Sequence, residues 1–169
     1  DLRVVVSNTT EKGYEVDGSD GSTSSPPASF PAKLLQVLSA RFDAGRGGLT
    51  ILPCELIEHN ASRLRGIVLA LAERWRLPLE FLRWVAKECA WHENLVDRIV
   101  TGRPEGHPLL EEDPLALACE PFALFAIEAR DGKLGLFSHP AIRAVDDVTP
   151  YALRKVRILN GGTGTAAKT

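Results

Sequence analysis

Methionine is absent from all 169 residues of the chain. A chain without it does not open at a natural start, and we read the sequence as a piece of a longer polypeptide. No apolar run is long enough to cross a bilayer, and no charged-then-apolar leader opens the chain. The formal net charge is only −2, which gives no electrostatic case for nucleic acid or an anionic membrane. The three cysteines, Cys54, Cys89 and Cys119, are widely spaced and set in largely apolar surroundings. Reduced, buried thiols in a cytoplasmic protein are expected, not a disulfide framework. Three glycine signatures are also missing: the G-x-G-x-x-G fingerprint, the P-loop and the G-x-S-x-G elbow of hydrolases. What remains is 44% hydrophobic and 25% charged, ordinary for a globular domain.

The β-branched run from Leu2 to Ser7 predicts a strand. It leads into the polar turn Asn8-Thr9-Thr10-Glu11-Lys12-Gly13-Tyr14. Small polar side chains at the carboxyl end of a strand are where open α/β sheets bind ligands. Residues 17 to 27, rich in Gly, Ser, Asp and Pro, are a loop. Ser29 suits an N-cap and Pro31 an early helical position. Leu34, Leu35, Val37, Leu38 and Phe42 then mark an amphipathic helix ending near Gly45.

Leu49 to Pro53 predicts a second strand, again closing in a partly polar cluster, Cys54 to Asn60. Leu64, Ile67, Val68, Leu71 and Trp75 share one face of the next helix, which Pro78 breaks. Phe81, Leu82, Val85 and Cys89 mark a third helix. Asn94 to Val100 mixes a short apolar run with the charged pair Asp97-Arg98, and 102 to 114 reads as loop. Residues 115–120, 122–128, 133–137 and 141–148 read as strands or extended segments, with a turn at Asp131-Gly132. Strands alternating with helices imply an α/β fold: a mainly parallel sheet with helices on both faces. No internal repeat is visible.

Near the C-terminus, Leu153, Val156 and Leu159 recur every third residue along one helical face. Pro150 fits that helix's start. At about 100° per residue, Lys155 falls at one edge of the apolar face and Asn160 within it, roughly 140° apart. A lysine and an amide directed towards packing side chains suit a small polar ligand in a cleft. The alternative is structural: Lys155 snorkels out, and Asn160-Gly161 caps the helix. Cys54, His59, Cys89 and His92 give a C-x4-H and a C-x2-H pair, but structural zinc uses tighter, repeated pairs. Cys89 also lies on an apolar stripe, so no metal is expected.

Five stretches in register resemble one family. They are Val6-Ser7-Asn8-Thr9-Thr10-Glu11-Lys12-Gly13-Tyr14, Ser29-Phe30-Pro31-Ala32-Lys33-Leu34-Leu35, Ile51-Leu52-Pro53-Cys54-Glu55-Leu56-Ile57-Glu58, Leu95-Val96-Asp97-Arg98-Ile99 and Lys155-Val156-Arg157-Ile158-Leu159-Asn160-Gly161. Together they resemble the polyol-specific long-chain dehydrogenases, the family of mannitol dehydrogenase, and most of all its hexuronate branch, the tagaturonate reductases (altronate oxidoreductases). The resemblance implies a partial Rossmann-type domain over 1–148 and the start of a helical substrate domain over 149–169. It implies NAD as cofactor and a sugar acid or ketose as substrate. It further implies catalytic roles for Lys155, as general acid/base, and Asn160, as donor to the same oxygen. Asp97 and Asn60 fall on the substrate side. Asn8, Thr9, Glu11 and Gly13 border the nicotinamide.

The sequence also departs from that family. Thr163 stands where the family has histidine, Glu93 where it usually has asparagine, and Ala61 where it usually has glycine. The first βαβ unit with its phosphate loop is not in this sequence, nor is the long C-terminal helical region. Lys155 is therefore expected to be solvated, and the sheet to keep an unpaired edge open to self-association. Two other readings stand beside the enzyme segment: a non-catalytic remnant or interaction module, and an α/β ligand-binding domain of another family.

Overall fold

The computed structural model describes residues 2–129, 135 and 138–155. These belong to two compact units, Asp1–Asn94 and Leu95–Thr169.

The first unit is built on three strands: β1 (Val4–Ser7), β2 (Thr50–Pro53) and β3 (Ala90–Trp91). They run parallel in the order β1-β2-β3, with Val5 beside Ile51 and Ile51 beside Trp91. Side chains in register share a sheet face. That face carries Val5, Ile51 and Trp91 into one core with the helices α1 (Phe30–Asp43), α2 (Asn60–Arg74) and α3 (Leu79–Lys87). On the other face Leu52 is buried, while Val6 is 56% exposed.

Helix α1 buries Ala32, Leu34, Leu35 and Leu38. Val37, expected on the same stripe, is 46% exposed. At about 100° per residue it lies roughly 60° to the far side of Leu34 from Leu38, beyond the edge of the stripe. Leu64, Val68 and Leu71 of α2 and Phe81 and Val85 of α3 complete the packing. Each such fully buried side chain contributes about 1.5–3 kcal/mol. Phe42 meets Phe81 at 5.5 Å and Trp84 at 5.8 Å, both edge-on, which joins α1 to α3.

Ser29 occupies the N-cap of α1 but makes no side-chain cap. Its hydroxyl instead donates to Asp20, whose carboxylate also accepts from the backbone N–H of Ala28, at 2.7 Å. The aspartate of the preceding loop therefore anchors the two residues just ahead of the helix, not its first-turn N–H groups. Gly48 approaches the end of α3 so closely that a Cβ there would lie 1.9 Å from Glu88 O.

In the second unit β4 (Asn94–Asp97), β7 (Leu124–Glu128) and β8 (Ile142–Val145) form a sheet in the order β4-β7-β8. β7 and β8 are parallel, with Ala126 opposite Arg143 and Ile127 opposite Ala144. Between β4 and β7, β5 (Val100–Gly102) and β6 (Ala118–Cys119) pair antiparallel, and the short α4 (Leu109–Glu112) lies within the stretch expected to be loop. Only two residues of the expected strand 115–120 are in β6. The expected strand 133–137 and its turn lie mainly outside the described residues. A final helix, α5 (Thr149–Arg154), starts as Pro150 requires. Glu128 Oε1 accepts from Val148 N at 3.0 Å, fixing the entry to α5 from the end of β7.

Candidate functional site

The carboxyl end of β1 is held by a buried carboxylate. Glu55, just past β2, is 2% exposed. Its Oε2 accepts from Ser7 Oγ at 3.0 Å, and its Oε1 from Thr9 N at 2.9 Å and Thr9 Oγ1 at 2.8 Å. Tyr14 OH lies 3.4 Å from Oε2 but has a shorter bond, 2.9 Å, to Asn60 O. A hydroxyl has one proton to give, so the second acceptor holds it more firmly. A carboxylate out of water is costly unless its lone pairs are used, and here they are. Burial first, and then the charge of Glu55, keep the Tyr14 phenol protonated far above its ordinary range. The same two causes push the Cys54 thiol up to about 12.

Thr9 points inward to this carboxylate. Asn8 and Thr10 are exposed. Thr10 has φ 99° and ψ 169°, a backbone region essentially reserved for glycine. Gly13 is required sterically, since a Cβ there would lie 1.8 Å from Thr9 Oγ1. The side chain of Glu11 lies outside the described residues.

Asn60, at the start of α2, is 3% exposed. Its Nδ2 donates to Glu55 O at 3.2 Å and to Asn94 O at 2.9 Å. Its Oδ1 accepts from Ala61 N at 2.9 Å and Asn94 N at 3.3 Å. Asn94 in turn donates to Pro53 O at 2.9 Å. The two asparagines thus tie the end of β2 and the last residue of this unit, Asn94, to the head of α2. Glu93 accepts from Ala61 N at 3.0 Å and Ser62 N at 2.9 Å. A carboxylate suits a helix N-terminus, and it gives the departure at position 93 a physical role.

In the second unit Lys155 Nζ donates to Val96 O at 2.8 Å and lies 3.4 Å from Asp97 Oδ1. The lysine side chain is 18% exposed and that of Asp97 12%. Lys155 is therefore not solvated as expected, because the last residues of β4 offer it a carbonyl and a carboxylate. An ammonium has three N–H donors. Among the described residues one of them goes to the Val96 carbonyl, and the Asp97 carboxylate stands beside the group as its counter-charge. Asn160 and Thr163 lie outside the described residues. Arg98 does not pair with Asp97 but donates to Glu120 O at 3.3 Å. Among the described residues, no three His, Cys, Asp or Glu side chains meet as a metal site, and no helix is long and apolar enough to cross a membrane.

The sequence alone assigns no role to Glu55, Tyr14 or Asn94, and marks Glu93 only as a departure from the family. Glu55 had a signal: a charged residue directly after an apolar strand. Asn94 had none, since only the fold brings it to Asn60.

Parallel strands with helices packed on them and polar turns at their carboxyl ends define a Rossmann-type α/β domain. A sequence profile described as the mannitol dehydrogenase Rossmann domain matches residues 3–136, and the chain belongs to that family. It is 40% identical over 178 residues to the altronate oxidoreductase of Yersinia enterocolitica serotype O:8 / biotype 1B, covering 95% of this chain and 36% of that protein. It is 41% identical over 179 residues to the altronate oxidoreductase of an Enterobacter species, with the same coverage. The chain thus spans 36% of the length of these relatives. Its structure resembles Pseudomonas fluorescens mannitol 2-dehydrogenase, solved as a ternary complex with NAD and D-mannitol. The TM-score is 0.71 at 26% identity, over 94% of this chain and 36% of that one. A D-sorbitol dehydrogenase shares the fold, with a TM-score of 0.68 at 24% identity over 95% and 37%.

Proposed function

We propose that this chain is the central part of an NAD-dependent oxidoreductase that interconverts a keto-uronate, tagaturonate-like, and its aldonate, altronate-like. The observation that carries the reading is Lys155 held against Asp97 and the Val96 carbonyl. The chemistry supplied by bound NAD is hydride exchange at the keto carbon. Lys155 gives the proton to the carbonyl oxygen during reduction and takes it back during oxidation. Asp97 orients the ammonium, and Asn160 donates to the same oxygen.

The turn after β1 fits the nicotinamide end of the cofactor. It lies at a strand's carboxyl end and exposes the Asn8 amide. Asn8, Thr9, Glu11 and Gly13 make up the cofactor-binding turn. The buried Asn60 serves the substrate side by fixing Asn94 and the head of α2. Residues 1–148 belong to the dinucleotide-binding domain, and 149–169 open a helical substrate domain. The names of the relatives favour a uronate over a neutral ketose. A cytoplasmic location agrees with the buried free thiols of Cys54 and Cys89.

Titrating NADH into the purified chain and following cofactor fluorescence tests the reading. Saturable enhancement at micromolar concentration is expected, weakened by Asn8→Ala. A linear response up to millimolar NADH overturns a working cofactor site in this chain and favours a non-catalytic interaction module.

A further inference from the structure

The buried carboxylate of Glu55 has no place in proton transfer at Lys155, and among the described residues no cation pairs with it. Its best bonds all go to one short piece of chain, Ser7 to Thr9. A carboxylate is not needed merely to fill space beside an apolar strand. What it does is take both the N–H and the hydroxyl of Thr9, which fixes backbone and side chain of one residue at once. The next residue, Thr10, is the one in the glycine-like conformation. Gly13 closes the turn against the Thr9 side chain, where no Cβ fits. The turn is thus clamped from inside by Glu55, and its outward face is left to Asn8 and Thr10.

We propose that Glu55 is the positioning residue of the cofactor-side turn, acting through Thr9, and that Asn8 is the turn's ligand-contacting side chain. Thr9 and Gly13 belong to the clamp and not to the contact surface. The proposal rests on the reading of this chain as an NAD-binding segment.

The test uses amide hydrogen exchange by NMR beside the NADH titration. In the wild-type chain the Thr9 amide exchanges slowly, because it is bonded to a buried acceptor. Glu55→Gln is expected to speed exchange at Thr9 at least tenfold while core amides such as Leu35 and Val68 stay within twofold. It weakens NADH binding at least tenfold, and Glu55→Asp recovers part of both. Asn8→Ala weakens NADH equally and leaves Thr9 exchange unchanged, which separates contact from positioning. Unchanged Thr9 exchange in Glu55→Gln overturns the proposal, as does faster exchange spread evenly over α1 and α2, since that marks a merely structural residue. Should Glu55→Gln not fold, Thr9→Val removes the hydroxyl bond alone and is read the same way. If wild type binds no NADH, the cofactor reading falls, and Thr9 exchange still decides whether Glu55 holds the turn.

Discussion

Lys155 and Asp97 meet at 3.4 Å with both side chains largely out of water. A charge pair in that position is worth little as a pair but costly to break, because the survivor is left buried. Asp97→Asn is expected to lower stability by about 1–3 kcal/mol, since the largely buried ammonium loses its counter-charge. Lys155→Met costs less than Lys155→Ala, because its stem still fills the space. Urea unfolding of the two single variants and the double variant should give a coupling of about 0.5–3 kcal/mol. Additive effects would mean that the two groups do not interact in solution.

Alkali should destabilise the first unit, and the sign follows from the raised pKa values of its buried thiols and of Tyr14. Cys54 is pushed up to about 12 by burial and then by Glu55, against about 8.5 in an unfolded chain. A raised folded pKa gives stability that is fully present below the unfolded value and lost as pH climbs through the folded one. The window therefore runs from about pH 8.5 to about 12. Tyr14, raised by burial and Glu55, adds to the loss above about pH 10. Each group contributes no more than about 1.4 kcal/mol per pH unit. The urea midpoint should fall steadily above pH 9. Thiol titration at pH 8 should find exposed Cys119 reacting at once, and buried Cys54 and Cys89 only on unfolding.

Apolar spacing was enough to locate α1, α2 and α3, because each buries a stripe against one shared core. It did not reveal β3, two residues long and dependent on its neighbour β2, and it drew β6 too long, at 115–120 instead of Ala118–Cys119. The resemblance pointed to Asp97 and Lys155, and the fold brings them within reach of each other. Ser29 holds the N-cap position its residue type suggested, but its hydroxyl goes to Asp20. The Glu55 clamp was invisible for a similar reason: its bonds span 46 to 48 positions, and no local pattern encodes them.

Two glycines should respond to alanine in a definite order. At Gly48 the added Cβ would meet the Glu88 carbonyl oxygen at 1.9 Å, which is backbone and cannot swing aside. At Gly13 it would meet the Thr9 side chain at 1.8 Å, which can rotate at the cost of its bond to Glu55. Gly48→Ala should therefore cost more than about 3 kcal/mol and Gly13→Ala about 1–3 kcal/mol, within the range of overpacking and lost buried bonds. Thermal melts give the order. Combining Gly13→Ala with Thr9→Ala should relieve only part of the clash, because the Thr9 Cβ would itself lie 2.5 Å away.

Among the described residues, β1 stands at the outer side of its sheet, with Val6 56% exposed. An edge strand offers a row of unpaired N–H and C=O groups as a template for another chain. We propose that the isolated chain self-associates through this edge, strand against strand. Light scattering should show mass rising with concentration, and Val6→Lys should suppress it, since a charge on an edge strand opposes pairing. Because Val6 is exposed and faces away from the helical core, the substitution should shift the melting temperature little. A wild-type chain that stays monomeric at high micromolar concentration would refute edge pairing. A Val6→Lys chain that associates as strongly as wild type would place the contact elsewhere.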